Sequence, residues 1–338
     1  MESDSPPAPA PGGAGVAPQP VVGKTVPCLQ SADHDDLDKH VAAGRFFWLD
    51  LEDPNDEQLQ LLGSKLGLHP LTVDDARSFH ERPKIEEFET YVYMVLYGVD
   101  PGATSGTPLL REVHMAISGA YVVTIHHGAI NALTELRERT AKTPVRTEQF
   151  MIYKVLDAVV STYFPVLQKM DDDIDAIEEA IIASPDEASL KQIFSMKRDL
   201  VDIRRVVTPL RDVFARDAER IADLPGMEAD DRAYFRDVYD SLIRISDLVD
   251  SYRDLLSGAT DMYLSTVANR QGEVGKQLAI IATIFLPLSF LTGFWGQNFS
   301  FLTGHIIDNN WTFFVLGIGL LVASVGALWI FFRRKRWI

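Results

Sequence analysis

Two apolar runs without a charge mark the far end of the chain. Residues 277–295 read QLAIIATIFLPLSFLTGFW and residues 311–332 read WTFFVLGIGLLVASVGALWIFF, runs of 19 and 22. At 1.5 Å per residue each reaches roughly the 30 Å of hydrocarbon that a spanning helix must cross, so both are expected to be transmembrane helices. The short loop 296–310 makes them a hairpin whose outer ends lie on one side. Arg270 and Lys276 precede the first span, Arg333, Arg334, Lys335 and Arg336 follow the second, and the loop has neither Lys nor Arg. That bias places the N-terminal part and the basic tail 333–338 in the cytoplasm, and the loop outside.

Upstream the periodicity changes. Across residues 23–145, RFFWLDL, EEFETYVYMVLYGVD, LLREVHMAISG and AYVVTIHH are rich in aromatic and β-branched residues and predict strands. DEQLQLLGSKLGL, PLTVDDARSF and NALTELRERTA predict helices, the first entered through Asp53-Pro54-Asn55. The result is an α/β domain. His126 and His127 end a strand and are expected to cap it or face solvent. Within 146–222 the strands vanish, and stretches 148–183 and 186–221 predict an antiparallel pair of long helices, with Pro185 of Ser184-Pro185-Asp186 near the first turn of the second. Asp171, Asp172, Asp173, Asp175, Glu178 and Glu179 form an acidic face on the first, either solvated or a reservoir that attracts cations.

A third helix is predicted from residue 230. Phe235, Val238, Leu242, Ile245, Val249, Tyr252 and Leu256 alternate steps of three and four, a heptad seam that needs a partner. With no Pro between Pro225 and Pro287, the helix is expected to run unbroken through 230–295 into the first span. Such a stalk, about 100 Å long, implies an oligomer assembled around its axis.

In the first span Gly275, Ala282, Ser289 and Gly296 recur every seven residues, with Ala279 and Gly293 on the neighbouring half-step and Leu286 between them. Two readings fit this narrow face: close helix packing through small residues, or several copies lining an axial path. The span ends in GFWGQN, which is either simple turn chemistry or, through the Asn298 amide and carbonyls freed at Gly296, a ring for a hydrated ion. Neither span holds a carboxylate, which suits an ion that keeps much of its water, as Mg²⁺ tends to do.

Composition sharpens this picture. Of 338 residues 46% are hydrophobic, and the formal net charge is −16 although the membrane module is basic. The soluble part is therefore strongly acidic, which disfavours nucleic acid and favours cations. Cys28 is the only cysteine, so neither a disulfide nor a thiolate metal cluster is expected. Residues 1–22, rich in Pro, Ala and Gly, predict a disordered tail without the layout of a signal peptide. There is no Walker motif, Gly-x-Ser-x-Gly, His-Glu-x-x-His or Gly-x-Gly-x-x-Gly after a strand, so neither an enzyme nor an organic cofactor is expected. A membrane-tethered oligomeric scaffold would share the stalk and hairpin but would not need the Gly-Gln-Asn ring.

The two-span end, the text SYRDLLSGATDMYLSTVANRQGEVGKQLAIIATIFLPLSFLTGFWGQNF and the closing RRKRW resemble the CorA family of divalent-cation channels. The resemblance implies a homopentameric funnel in the plasma (inner) membrane: an α/β cytoplasmic domain with long stalk helices continuing into two C-terminal transmembrane helices. It implies transport of Mg²⁺, with Co²⁺ or Ni²⁺ as further cargo. Gly296, Gln297 and Asn298 match the selectivity signature, and Leu278, Ala279, Ala282, Leu286, Ser289 and Gly293 the pore face, with Leu278 and Leu286 at hydrophobic constrictions and Ser289 at a pore hydroxyl. Asp237 and Asp261 match acids that bind regulatory Mg²⁺ between subunits, and Asp100 is a candidate partner. The chain departs from the pattern at Gln297, where the archetype has Met, at Gly272, where a polar Asn is usual, and after Phe299, where Met-Pro-Glu-Leu is missing. A zinc-transporting branch of the superfamily, with His305 as a contact beside Asp308, is the alternative.

Overall fold

The computed structural model describes residues 25–100, 109–145, 147–217, 221, 223, 232–297, 304, 311 and 313–335. The expected tail 1–22, Asn298, His305, Asp308 and residues 336–338 lie outside them. The chain divides into two compact units, Met1–Thr260 and Asp261–Ile338.

The first unit is built on a six-stranded mixed sheet: β1 (Cys28–Leu29), β2 (Phe47–Glu52), β3 (Lys84–Glu87), β4 (Val92–Asp100), β5 (Leu109–Ile117) and β6 (Tyr121–His126), in the order β1-β2-β6-β5-β4-β3. β1, β2 and β6 run parallel and the other pairings are antiparallel. Successive side chains point to opposite faces. Phe47, Leu49, Leu51, Tyr93, Val95, Val123 and Ile125 share a core with Leu37 of α1 (His34–Ala42), Leu59 and Leu62 of α2 (Asp56–Leu66) and Ala76 of α3 (Pro70–Ser78). Met94, Leu96, Met115 and Val122 are buried too, on the face towards α4 (Asn131–Thr140) and α5 (Glu148–Val160). With both faces covered, β4 and β6 are buried almost throughout.

Local chemistry explains the boundaries. Asn55, rather than the preceding Asp53 or Pro54, caps α2 through a reciprocal box with Gln58, and Gly67 at φ 68° closes it. The expected strand EEFETYVYMVLYGVD is two, because Phe88 N donates to Tyr91 O across a turn between β3 and β4. The expected helix 148–183 breaks into α5 and α6 (Tyr163–Ala183). There Thr162 Oγ1 accepts from Val99 N at 2.8 Å, and a Cβ on Gly98 would sit only 3.3 Å from that oxygen. The stretch Glu148–Ala183 is apolar enough to cross a membrane, yet half of its apolar window is buried inside the first unit. Pro185 stands just ahead of α7 (Glu187–Asp217), whose Ser189 N is capped by Asp186 Oδ1 at 2.8 Å.

The stalk helix α8 (Arg232–Trp295) is continuous over 64 residues, with Pro287 inside it. Its heptad seam, however, already has partners in its own chain. Phe235, Val238, Leu242, Ile245, Val249, Tyr252 and Leu256 are all buried. Lys197 donates to Thr260, Arg204 pairs with Asp250 and Arg211 donates to Ser246, so numbers fall along α7 as they rise along α8, an antiparallel packing. Arg244 lies over the Phe164 ring of α6. The partner that the seam needs is thus found within the same chain, where α7 and its neighbours supply the missing apolar surface.

In the second unit no residue from Asp261 to Phe294 is buried. The second span begins as π-helix over Phe313–Gly319 and continues as α9 (Leu320–Arg334), ending with Arg333 over the Trp329 ring.

Candidate ion pathway and regulatory acids

The charge-free span 277–295 is helical to its end. At about 100° per residue, Leu278, Ala279, Ala282, Leu286, Ser289 and Gly293 fall within an arc of about 100° on α8. All six are exposed, Leu278 by 62% and Leu286 by 70%. A Cβ added at Gly275 or Gly293 would meet nothing within 4 Å, so packing inside this chain does not call for glycine at either place. Thr283 and Thr292 turn their hydroxyls back to Ala279 O and Leu288 O, keeping these polar groups satisfied within the helix. Pro287 has no N–H to give, so the Thr283 carbonyl lacks its usual helical donor.

The helix finishes where the signature begins. Gly296 N donates to Thr292 O at 2.9 Å and Gln297 N to Phe294 O at 3.3 Å, and both residues are exposed. The last carbonyls of a helix carry the negative end of its dipole, an environment that favours cations. Gly296 and Gln297 thus stand at a cation-favouring terminus, while Asn298 lies outside the described residues.

The three candidate regulatory acids are not brought together. Asp237 is exposed near the start of α8 and accepts a hydrogen bond from the Tyr153 hydroxyl at 2.8 Å. Asp261 is exposed in the second unit. Asp100, at the end of β4, pairs with Arg111 at 3.3 Å. Among the described residues no group of three or more His, Cys, Asp or Glu is placed to hold a metal. Tyr153 escaped the sequence reading, since nothing in the chain text links it to a residue 84 positions away.

His126 corrects an expectation. It is 2% exposed, with Nε2 3.1 Å from Asp50 Oδ1 and Nδ1 2.8 Å from Gly128 O. Asp50 also accepts from Thr124 Oγ1 at 2.6 Å and Arg137 Nη1 at 2.7 Å. This buried network under α4 replaces the expected solvent-facing strand end. His127 is exposed and meets Asp53 at 2.7 Å, as a strand-end residue should. Burial pushes the Cys28 thiol up to about 11, so it stays protonated.

Comparison with known proteins supplies the context. The family model described as "CorA-like Mg2+ transporter protein" matches residues 43–334. A cobalt/magnesium transport protein, CorA of Thermotoga maritima, is 33% identical over 83% of this chain and 80% of its own length. The zinc transport protein ZntB of Yersinia pseudotuberculosis is 23% identical over 89% of this chain and 91% of its own. The solved CorA magnesium transporter of Methanocaldococcus jannaschii superposes with a TM-score of 0.73 at 24% identity, covering 86% of this chain and 91% of that one. An α/β domain followed by a long stalk helix and a C-terminal helix is the fold of that structure. By the reach of the family match and the identity to its relatives, the chain belongs to the CorA family of divalent-cation transporters.

Proposed function

We propose that the chain is a homopentameric Mg²⁺ channel of the inner membrane, with both termini cytoplasmic and Co²⁺ or Ni²⁺ as further cargo. The observation that carries this reading is the exposed, charge-free face of α8 that ends at Gly296 and Gln297. All six of Leu278, Ala279, Ala282, Leu286, Ser289 and Gly293 are exposed, and among the described residues nothing lies within 4 Å of a Cβ placed on Gly293. Five copies turning it inward would give a narrow path without fixed charge, suited to an ion that retains water. Gly296, Gln297 and Asn298 would then form the outer ring, where carbonyl and amide oxygens meet the hydrated ion.

Regulation follows from the acids. Asp237, Asp261 and Asp100 are too scattered within one chain to make a metal site, so a cytoplasmic Mg²⁺ ion would bridge acids of adjacent subunits. Bound metal relieves the repulsion between those carboxylates and holds the pore shut, and its loss loosens the ring. Zinc transport is the second reading, favoured by the similarity to ZntB.

The test is Mg²⁺ and Zn²⁺ influx into liposomes holding the purified protein, wild type beside Asn298→Ala, with and without an inward proton gradient. Gradient-independent Mg²⁺ flux that Asn298→Ala abolishes is the expected result. Proton-dependent Zn²⁺ flux would move the protein to the zinc branch, and Mg²⁺ flux indifferent to Asn298→Ala would remove the filter assignment.

A further inference from the structure

The first unit holds a cavity of about 720 Å³ between the turn after α3, the start of β5 and α7. That is the size of sites that enclose small ligands. Its lining includes three arginines, Arg82, Arg111 and Arg205, with His127 and the aromatic residues Phe79 and Tyr97. Arg82 and Arg205 are exposed, and their side chains make no ion pair among the described residues. Arg111 gives Nη2 to Asp100, yet its Nε is buried without a hydrogen-bond partner. The two exposed guanidinium groups are therefore free to meet a ligand, and Arg111 adds a third positive charge to the wall.

Two acids share the lining, Glu81 and Glu112, and both are engaged elsewhere. Glu112 accepts the backbone N–H groups of His80 at 2.6 Å and Glu81 at 2.9 Å and lies 3.0 Å from His114 Nε2. Glu81 stands 3.5 Å from Lys84. The charged lining residues left without an ion pair among the described residues are Arg82 and Arg205, both positive, in a chain whose net charge is −16. The wall is also held at a conformational cost: Phe79 and His80 have φ of 53° and 71°, where bulky residues rarely sit. Phe79 packs there with its ring centre 3.9 Å from that of His127, the planes tilted by 31°, and edge-on 4.6 Å from His114. Backbone strain of this kind persists where the surroundings over-determine it.

We propose that this cavity binds a phosphate-bearing anion of nucleotide size through Arg82, Arg111 and Arg205. Guanidinium forks match phosphate oxygens two at a time, and three of them around one space suit a multiply charged group better than a single carboxylate. Phe79 and Tyr97 offer flat apolar surface for the rest of the ligand.

The experiment is calorimetric titration of the full-length protein in detergent, in metal-free buffer, with ATP and separately with pyrophosphate. Arg82→Glu and Arg205→Glu are the test variants and Arg45→Glu, an exposed residue outside the lining, is the control. Both test positions are exposed, and thermal melting checks that each variant folds. Saturable ATP binding weakened at least tenfold by each test variant and less than twofold by the control is expected. Pyrophosphate binding as tightly as ATP assigns recognition to phosphates alone, and ATP binding without pyrophosphate adds the rings; both carry the proposal. No saturable binding of either probe, or binding indifferent to both variants, overturns it. Neither result depends on which cation the protein transports.

Discussion

The Tyr153 hydroxyl donates to the Asp237 carboxylate across 2.8 Å, joining α5 to α8 in an aromatic cluster. The Tyr153 ring stacks on Tyr234 at 5.0 Å, and the Lys154 ammonium lies 4.9 Å from the centre of the Tyr153 ring. Burial first, and then the Asp237 carboxylate, push the phenol well above its ordinary pKa, so it remains a donor. A metal approaching Asp237 must share or displace that hydrogen bond. If Asp237 helps to close the channel, Tyr153→Phe lowers the internal Mg²⁺ concentration that half-closes it by about fivefold, the worth of one hydrogen bond of about 1 kcal/mol. Asp237→Asn raises it instead. Flux from liposomes loaded with graded internal Mg²⁺ measures both, and an unchanged midpoint in Tyr153→Phe would refute the link.

His126 makes stability depend on pH. Acceptors face both of its ring nitrogens, an arrangement satisfied only when both carry protons. Burial opposes the charged ring, but the bond to Asp50 and its charge outweigh it and hold the pKa above the ordinary histidine value. A raised folded pKa gives stability that is complete below the unfolded value of about 6.5 and is lost as pH rises through the folded value. The melting temperature of the full chain should therefore fall more steeply as pH rises above about 6.5 in the wild type than in His126→Gln. Parallel slopes in the two proteins would sink this account.

The α8 seam is a matter of one chain. Leu242 and Ile245 are 0% exposed. Truncating either to Ala should cost about 2–5 kcal/mol, the usual range for a large-to-small change in a core. The loss should be the same at high and low protein concentration in denaturant titrations, whereas a seam between subunits would give a loss that grows on dilution.

Much of this architecture was legible because its signals are long. A charge-free run of 19 residues cannot be mistaken, and neither can seven apolar residues at alternating steps of three and four. What periodicity does not carry is the identity of the partner: the seam of Phe235 to Leu256 is buried as expected, but by α7 rather than by another copy. Short elements left too little pattern, since β1 has two residues and α1 buries only Leu37 of its nine. His126 looked like a strand end because its buried partner Asp50 is 76 residues before it in sequence, and Arg137, which pairs with the same carboxylate, is 11 after it. The face of α8 proposed as the ion pathway is a pattern in the sequence, whereas the tie from Tyr153 to Asp237 exists only once α5 and α8 are packed.

A seam closed within one chain also sets an order of events during synthesis. Leu242 and Ile245 are buried within the unit that ends at Thr260, so that unit completes its core from residues already made. At about 5–20 residues per second the ribosome delivers the segment Asp261–Trp295 some seconds later. The apolar helix is thus born attached to a finished body, and its exposed surface is left to meet lipid, the second span that follows it, or its own copies.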